Sequence, residues 1–468
     1  MKKFIHFSFN NPKIIIFATL LIVVFAGLQL PRIKVDTDPE NMLPKSEFVR
    51  VFHDETKKEF SIYDFIVLGV INDKHPQGVF NVETLNKVYD ITEKIKTIDG
   101  VIDREIIAIS TKDNIRQGAA GEVVFEWLMK NTIATEEEAA NIRDEAVDNP
   151  MFNGTLISED AKALCVYIPI KQKNVSYAVS QEIFKIIKTF SGDEQYHITG
   201  LPVAEDTFGI EMFKQMAVSA PLAGLIIFIL MWVFFKNIKL IISPMVLAVV
   251  TVITTMGLLI GFGFPVHIMS SMIPIFLMPI AVLDSVHILS EFFDKYRVIG
   301  NKKDTIFKVL DELFTPMLYT SLTSAVGFLS LSFSPLPPVQ TFGVFVAIGI
   351  MIAWILTMTF IPAYIALISE KSLKNLTIKG EKEVEHHGAI DDILSGIRQF
   401  SVKYAKRVVA LSIVLVIISG YGISKIRVND NPVRWFTKNH RIRVADKVLN
   451  EHFSGTYTAY LVLSAKEK

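Results

Sequence analysis

An aspartate inside a long apolar run is the residue best placed to do chemistry in this sequence. From Met216 to Ser290 only three residues are charged, and Asp284 is the one acid among them. A charged side chain at the centre of a bilayer costs at least ~2.5–3.5 kcal/mol, so acids there are rare and usually functional. We expect Asp284 to bind and release a proton. The alternative is a permanently protonated Asp284 that only bridges helices.

Two neighbours on the same helix can assist such a proton relay. Ser285 is adjacent to Asp284, and His287 follows at i+3, on nearly the same helical face. His287 could share a proton with Asp284 or simply form a hydrogen bond, and the residues favour neither. We expect no metal site, because only two ligand types are in reach and no further His or Cys lies on this helix.

A second apolar run carries hydroxyl groups at helical spacing. Thr320, Ser324 and Gly327 recur at i, i+4 and i+7, which predicts a small polar face that lets helices approach closely. Thr320 and Ser324 are therefore candidate hydroxyls that support the relay. The alternative is helix packing alone.

Composition indicates a membrane protein. Half of the 468 residues are hydrophobic, and the mean hydropathy is +0.39. No charged residue occurs from Pro316 to Ser369, a stretch longer than the ~20 apolar residues that cross a bilayer. A soluble enzyme and a protein with one membrane anchor are both excluded.

Other functional classes lack their sequence signals. Basic and acidic residues number 48 each, so no basic excess predicts nucleic-acid binding. The sequence has neither a phosphate-binding glycine loop ending in Gly-Lys-Ser/Thr nor a Gly-x-Ser-x-Gly turn. Cys165 is the only cysteine, and we expect it to be a small buried residue. We predict no enzyme activity and no cofactor, with an ion gradient as the energy source.

Seven membrane-spanning helices are predicted from the apolar runs. The first could be a signal peptide, but no small-x-small cleavage site follows before Arg32, which favours a retained helix. The predicted spans are Ile14–Leu30, Met216–Phe235, Leu240–Phe262, Val266–Leu289, Met317–Phe333, Val339–Ile368 and Val408–Ile423.

The distribution of basic residues predicts the orientation. Basic residues precede the first span and fill the loops around Lys236–Lys239, Lys295–Lys308 and Lys371–Arg407. The opposite turns, Gly263–Pro265 and Ser334–Pro338, carry no charge. By the positive-inside rule the N-terminus is cytoplasmic, and residues 31–215 form one large outer domain.

Alternating strand and helix patterns predict that this outer domain contains two small α/β subdomains, of the ferredoxin-like α+β kind. The helical stripe runs from Val82 to Ile98. The other predicted elements are strands at Tyr63–Asn72, Val101–Ile109, Leu164–Ile170 and Gln195–Thr199, two helices within Asp113–Asn149, and a helix at Val175–Phe190.

The sequence repeats at an offset of 393 residues. Ile33-Lys34-Val35 matches Ile426-Arg427-Val428. Further matches are Pro39 with Pro432, Lys45 with Lys438, Phe60 with Phe453 and Leu68 with Leu461. Such a repeat is a signature of transporter architecture. We expect the chain to be the N-terminal half of an internally repeated transporter, either a fragment or the product of a truncated gene, and to be inactive alone.

The linker before the last span has its own pattern. Ile390, Ile393, Leu394, Ile397 and Phe400 form one helical stripe, which predicts an amphipathic helix on the inner membrane surface or packed under the bundle. The adjacent pair His386-His387 is expected to be solvated.

Four segments in order resemble the resistance-nodulation-division (RND) transporters, in their hydrophobe/amphiphile exporter branch. Val35–Pro44 is similar to the stretch after their first helix, and His197–Val203 to the end of their outer domain. Ala281–Leu289 resembles the fourth-helix motif that bears the proton-carrying Asp. Ser324–Leu331, with Pro337-Pro338 and Phe342-Gly343, looks like the fifth and sixth helices.

The resemblance implies proton-driven export of hydrophobic or amphiphilic molecules, such as lipids or drugs, across a bacterial inner membrane. The family role of proton acceptor falls on Asp284. Many relatives have two adjacent Asp residues here, and the mycobacterial MMPL branch has Asp-Tyr, whereas this chain has Asp284-Ser285. The implied partners are membrane lipids, the substrate, a missing C-terminal half or a second copy, and periplasmic accessory proteins.

The resulting layout has six parts. The five central spans also resemble a sterol-sensing domain, so the alternative function is a lipid-binding sensor or scaffold that transports nothing. The parts are a cytoplasmic N-terminus with the first helix (1–30), a periplasmic α/β porter-like domain (31–215), a five-helix bundle (216–369), a cytoplasmic linker (370–407), a seventh span (408–424) and an incomplete second periplasmic domain (425–468).

The predicted topology can be tested with a cysteine at Asn301, in the loop Lys295–Lys308. Because this loop is basic, we expect it to be cytoplasmic. The introduced thiol should react with an impermeant reagent only after spheroplasts are lysed. Labelling of intact spheroplasts would refute the orientation.

Overall fold

The computed structural model describes residues 2–117, 122–235, 238–370, 373, 389–426, 431–453, 455–457 and 460–463. The chain forms two compact units. The membrane unit comprises Met1–Lys34, Ala217–Ser334 and Val339–Asp430, and the α/β unit comprises Val35–Met216, Pro335–Pro338 and Asn431–Lys468.

Helices dominate the described residues. The α-helices are α1 (Lys2–Asn10), α2 (Pro12–Gly27), α3 (Phe48–Glu59), α4 (Val82–Lys96), α5 (Glu136–Asp148), α6 (Ser176–Ile187), α7 (Leu201–Phe235), α8 (Ile238–Gly261), α9 (Ile273–Ile299), α10 (Lys302–Leu329), α11 (Pro337–Leu367), α12 (Ala389–Lys403), α13 (Ala405–Ser424) and α14 (Arg441–His452). The strands are β1 (Val35–Asp36), β2 (Asp64–Ile71), β3 (Asp113–Gln117), β4 (Val123–Trp127), β5 (Ala163–Ile170), β6 (Gln195–Thr199) and β7 (Val266–His267).

Six helical segments of the described chain are long and apolar enough to cross a membrane. They are Pro12–Arg32, Leu201–Val233, Ile241–Gly261, Ser270–Ile299, Pro337–Leu367 and Ala405–Ser424. The fifth of the seven predicted spans falls in α10, whose first three turns are charged and whose apolar part is rich in hydroxyl groups. The chain is a multi-pass helical membrane protein, and a membrane crossing by α10 stays a prediction.

The predicted fourth span began too early. Residues 266–272 form the short strand β7 and a 3₁₀ turn, Ser270–Met272, and α9 begins only at Ile273. Pro274 lies in the first turn of α9, where its missing N–H costs no helical hydrogen bond. Pro279 lies inside α9, which nevertheless continues to Ile299.

The turn between α9 and α10 is built from two residues. Gly300 ends α9 in the left-handed conformation, with φ of 72°, which glycine adopts without strain. Asn301 caps α10, and its side chain accepts hydrogen bonds from the backbone N–H groups of Lys303 and Asp304. A cysteine at the exposed Lys303 therefore gives the same topology readout without loss of the cap.

Small residues let the membrane helices pack closely. A Cβ atom on Gly257 of α8 would lie 2.4 Å from the backbone oxygen of Ala26 in α2. A Cβ atom on Gly349 of α11 would lie 2.4 Å from Leu277 of α9 and 2.8 Å from Thr255 of α8. Glycine at both positions lets the backbones of neighbouring helices come into direct contact, as is common for helices packed in a bilayer.

The linker prediction lies partly outside the described residues. The amphipathic helix is present as α12, and Ile393, Ile397 and Phe400 are exposed on it. His386, His387 and the basic residues between positions 374 and 388 lie outside the described residues, as do Lys236, Lys371, Arg427 and Val428. Whether α12 lies on a membrane surface stays a prediction.

The α/β unit is organised by an antiparallel sheet with the order β5–β2–β6. Side chains on β2 alternate between two faces, as the strand period requires. Ile66, Leu68 and Val70 join the main core, with α4 and α6. Val67 and Ile71 point to the other face, where they form a smaller cluster with Cys165.

Two predictions for the middle of this unit are wrong. Residues 101–109 do not form a strand, because Asp103–Glu105 make a 3₁₀ turn and leave only single bridges at Val101 and Ile107. The described residues of 113–149 hold one helix instead of the two predicted: β3 and β4 pair as antiparallel strands, and α5 follows. The β-branched run Val123-Val124-Phe125 favours a strand over a helix. The other predicted strands and helices of this unit are present, and an arrangement in two ferredoxin-like subdomains stays a prediction.

Elements of the same kind recur at the 393-residue spacing. The 3₁₀ turns Pro39–Met42 and Pro432–Trp435 correspond, as do α3 and α14. Arg50 donates to the carbonyl oxygen of Leu43 at 2.7 Å, and Arg443 donates to that of Phe436 at 3.0 Å, a pair at the same spacing. A repeat of the whole half stays a prediction.

Helix α14 covers the second face of the sheet. Leu449 and Phe453 pack there against Val67, Ile71 and Cys165. Gly69 makes this contact possible, because a Cβ atom on it would lie 2.2 Å from Leu449 Cδ2. Gly69 is also the register partner of Cys165 on β5.

We predict that Gly69→Val displaces α14 and exposes Cys165. Burial raises the pKa of the Cys165 thiol, so the wild-type thiol should react slowly with a maleimide. The added valine collides with Leu449, so the variant thiol should react faster by an order of magnitude or more. The measurement is the rate of maleimide labelling of the purified protein.

A double-mutant cycle gives the control for this prediction. Leu449→Ala alone leaves a cavity, but in the Gly69→Val background it removes the collision. Labelling of the double variant should therefore be slower than the sum of the single effects predicts. Labelling of Gly69→Val at the wild-type rate would contradict the packing.

Candidate functional site

Helix α9 places Asp284 inside the membrane unit. The side chain is only 6% exposed, on a helical face shared with Ala281 and Ile288, both fully buried. Helix α9 packs against α8 on one side and α10 on the other. The carboxyl therefore lies between helices and not on the lipid-facing surface.

Asp284 accepts one hydrogen bond from the described residues. The hydroxyl of Ser321 in α10 donates to Asp284 Oδ2 at 3.3 Å, which is long for a hydroxyl donor. Ser321 is itself buried. The carboxyl is thus held loosely by one neutral donor, and no cation within salt-bridge distance is found for it among the described residues.

The other predicted relay residues do not meet at the carboxyl. Ser285 is buried but donates to the backbone oxygen of Ala281 at 3.0 Å, within its own helix. His287 is exposed on α9. Thr320 is exposed and donates to the backbone oxygen of Pro316 at 2.9 Å, and Ser324 is half-buried. Their roles in a relay stay predictions.

Ser321 was missed because the wrong face of α10 was taken as the inner one. The buried stripe of this part of α10 is Met317, Ser321 and Ala325, at i, i+4 and i+8. Large side chains on the other faces, such as Tyr319 and Val326, are exposed. The sequence carries no signal that separates Ser321 from Thr320 and Ser324, because all three residues are small and polar.

Hydroxyl groups are also buried elsewhere in the membrane unit. The side chains of Thr251 and Thr254 on α8 and Thr357 on α11 are buried without a hydrogen-bond partner in the described protein. Burial of a hydroxyl without a partner costs ~1–3 kcal/mol. These positions can therefore take a hydrogen bond from water or from a bound molecule.

The α/β unit holds a separate charged cluster around Lys173. The ammonium lies 2.5 Å from Glu40, 3.3 Å from Glu205 and 3.8 Å from Asp38. Burial alone would lower the pKa of Lys173, but Glu205 and Glu40 outweigh it and raise that pKa above its usual value. For Glu40, burial raises the pKa and the hydrogen bond from Lys173 lowers it, with a net lowering.

Two comparisons with known proteins cover the membrane site around Asp284. The sequence model of the MMPL family matches residues 83–389, which include Asp284 and Ser321. A protein of Methanocaldococcus jannaschii that is named a "putative membrane protein" is 24% identical over 397 residues, which is 82% of this chain and 98% of that protein.

We predict that Lys173→Gln destabilises the α/β unit. Removing the ammonium takes a cation away from Asp38 and Glu205 and leaves Glu40 with Lys57 at 3.9 Å and His53 at 3.3 Å. Loss of one partner costs ~3–5 kcal/mol in comparable buried pairs. The thermal unfolding midpoint of the purified variant should fall clearly at neutral pH. Lys171→Gln is the matched control, because the pair of Lys171 with Asp99 is exposed and contributes little.

The loss of stability in Lys173→Gln should depend on pH. A lowered pKa in the folded state means that Glu40 stabilises the fold above its unfolded-state pKa and loses this contribution as the pH falls. The ammonium stays charged throughout this range. Burial raises the pKa of Glu205 to about 7, so this carboxyl begins to take up a proton near neutral pH. The difference between wild type and Lys173→Gln should therefore shrink from neutral pH towards about pH 4. A difference that is constant with pH would refute the pairing.

Proposed function

Because the chain belongs to the MMPL family of membrane transporters, we propose that it exports hydrophobic or amphiphilic molecules with energy from a proton gradient. Asp284 carries the proton. The supporting observation is its carboxyl group, buried between helices and held by one long hydrogen bond from Ser321. Family membership favours transport over a lipid sensor.

The weak bond from Ser321 suits a carboxyl that must exist in both forms. A hydroxyl can donate to the carboxylate and can rotate to accept a hydrogen bond from the protonated acid. Ser321 therefore contacts Asp284 in either state without a change of partner. An ion pair in the same place would hold the charged form, and the proton would not return.

Protonation removes the negative charge of Asp284 and so changes which arrangement of the helices is favoured. The charged carboxyl favours an arrangement of α9 and α10 that admits water, and the neutral acid favours a dry, closely packed one. An ion gradient that loads the proton on one side and unloads it on the other then drives the two arrangements in turn. A proton that crosses the membrane field gains ~2.3 kcal/mol per 100 mV.

The proposal includes the setting of this cycle. The N-terminus is cytoplasmic and the α/β unit is periplasmic, in a bacterial inner membrane. No cofactor takes part besides the proton gradient. The working assembly contains a second set of spans, as a C-terminal half or a second copy, together with membrane lipids and, in the periplasm, accessory proteins. Ser285, His287, Thr320 and Ser324 are proposed to assist proton movement.

The test is Asp284→Asn in the full-length protein. Asparagine keeps the size and a hydrogen-bonding group for Ser321 but cannot titrate, so gradient-driven export should be lost while folding and insertion remain. The measurement is efflux of the amphiphilic dye N-phenylnaphthylamine from energised cells. Asp294→Asn is the matched control, because Asp294 is exposed on the same helix.

A second readout is independent of the substrate. Infrared difference spectra between acidic and alkaline buffer should contain the carbonyl band of a protonated carboxylic acid that is absent from Asp284→Asn. Ser321→Ala should shift this band, because it removes the hydrogen bond. Wild-type efflux by Asp284→Asn, or spectra identical to wild type, would show that Asp284 is structural.

A further inference from the structure

A groove opens between α2 and α8 on the membrane unit. At Gly257 the two helices touch, since a Cβ atom there would lie 2.4 Å from the backbone oxygen of Ala26. One turn further, at Gly261, they part, and the nearest group to an added Cβ is the flexible side chain of Gln29 at 3.3 Å. The absence of side chains on two glycines at i and i+4 therefore creates the groove.

The walls of the groove are apolar and open to the surroundings. Phe25 on α2 is 71% exposed and Phe262 at the end of α8 is 70% exposed. Together with Ile22 and Leu258 they line an open groove with a volume of about 570 Å³. This volume lies within the ~300–1,000 Å³ that is typical of small-molecule sites.

One end of the groove carries a positive charge. Arg32 ends the short 3₁₀ turn Leu30–Arg32 that follows α2, and it lines the groove with Gln29. Arg32 Nη1 donates to Gln29 Oε1 at 3.0 Å, which fixes the direction of the guanidinium. A guanidinium has five N–H donors, and this bond uses one of them. The amide N–H groups of Gln29 add further donors for an anion.

The other end carries a buried hydroxyl. Thr254 lines the groove and is 5% exposed, and its Oγ1 has no hydrogen-bond partner in the described protein. Thr254, Gly257 and Gly261 lie at i, i+3 and i+7 on one face of α8. Helical rise places Thr254 about 10 Å from Gly261, on the side away from Arg32.

We propose that this groove binds an anionic amphiphile with a single acyl chain. The carboxylate head is held by Arg32 and Gln29, and the chain lies over Gly261 and Gly257. The hydroxyl of Thr254 forms a hydrogen bond with a polar group in the middle of the chain, so a hydroxylated fatty acid is the ligand that fits best. The site goes beyond the proposed export function and does not depend on Asp284.

Three features select this class of ligand. A neutral apolar molecule would leave Arg32 without a counter-ion, and a cationic amphiphile would be repelled by it. A ligand with two bulky chains would not follow a groove whose floor is the width of two glycines. A chain without a polar group would leave the hydroxyl of Thr254 unpaired, as it is without ligand, whereas a polar group in mid-chain would give it a partner.

The site can be mapped with a photoreactive stearate. The purified full chain in detergent is irradiated with diazirine-labelled stearate, and the labelled peptides are identified by mass spectrometry. Labels should fall on the segments around Phe25 and Leu258. Gly261→Leu should abolish this labelling, because leucine fills the mouth while keeping a good helix former at that position. Labelling confined to other helices, or unchanged in this variant, would overturn the proposal.

Competition then tests the chemistry of the ligand. Unlabelled stearate should displace the probe, and octadecylamine, which has the same chain with a cationic head, should be about tenfold weaker. Arg32→Gln should remove this preference. Lys34→Gln is the matched control, since Lys34 is exposed nearby but does not line the groove. Equal competition by the two head groups in wild type would refute the anion site.

The role of Thr254 has its own readout. Stearate that carries a hydroxyl in mid-chain should compete several-fold better than stearate. Thr254→Val, which keeps the shape but removes the hydroxyl, should abolish that advantage and leave stearate unaffected. An unchanged advantage in Thr254→Val would show that Thr254 does not contact the chain. Asp284→Asn should bind as wild type does, so the outcome is separate from that of the export test.

Discussion

A carboxyl group buried between helices is the constraint on which the membrane unit depends. Asp284 is only 6% exposed, and its charged form is expensive at bilayer depth. The only hydrogen bond to it from the described residues comes from Ser321, across the contact of α9 with α10. The two helices must therefore keep their register, since a slip of one residue would turn Ser321 away by about 100°.

The cost of burying polar groups also bears on the other helix contacts of the membrane unit, both where helices touch and where they leave a groove. Helix α9 meets α8 and α11 at Gly349, where backbone approach replaces side-chain packing. In this close contact the hydroxyl of Thr255 donates to the backbone oxygen of Thr251 in its own helix. Thr254 lines the groove at α2 instead, and its hydroxyl has no such partner in the described protein. An unpaired hydroxyl beside an opening indicates a ligand more strongly than one inside a sealed contact.

Much of this architecture could be predicted from the sequence, because the membrane and the sheet impose simple periods. Apolar length identified six of the helices, and short apolar runs identified the buried strands β2 and β5. The identity of the buried acid also followed, since Asp284 is the one acid in its run. The partner of Asp284 did not follow, because Thr320, Ser321 and Ser324 are all small and polar and only packing decides which faces inward. The strand predicted at residues 101–109 is not formed. A segment that makes only single β-bridges can have the same apolar pattern as a strand.

Helices α3 and α14 show why pattern alone does not determine environment. They are equivalent at the 393-residue spacing, and an arginine in each donates to an equivalent carbonyl oxygen. Yet α3 buries none of its residues, whereas α14 buries Ile442, Ala445 and Leu449. The difference lies in the surface that each one meets. Helix α14 rests on a sheet face opened by Gly69, where a side chain would exclude Leu449. The residue that decides the burial of α14 is therefore a glycine some 380 positions away in the sequence, on a strand whose own apolar pattern says nothing about what covers it.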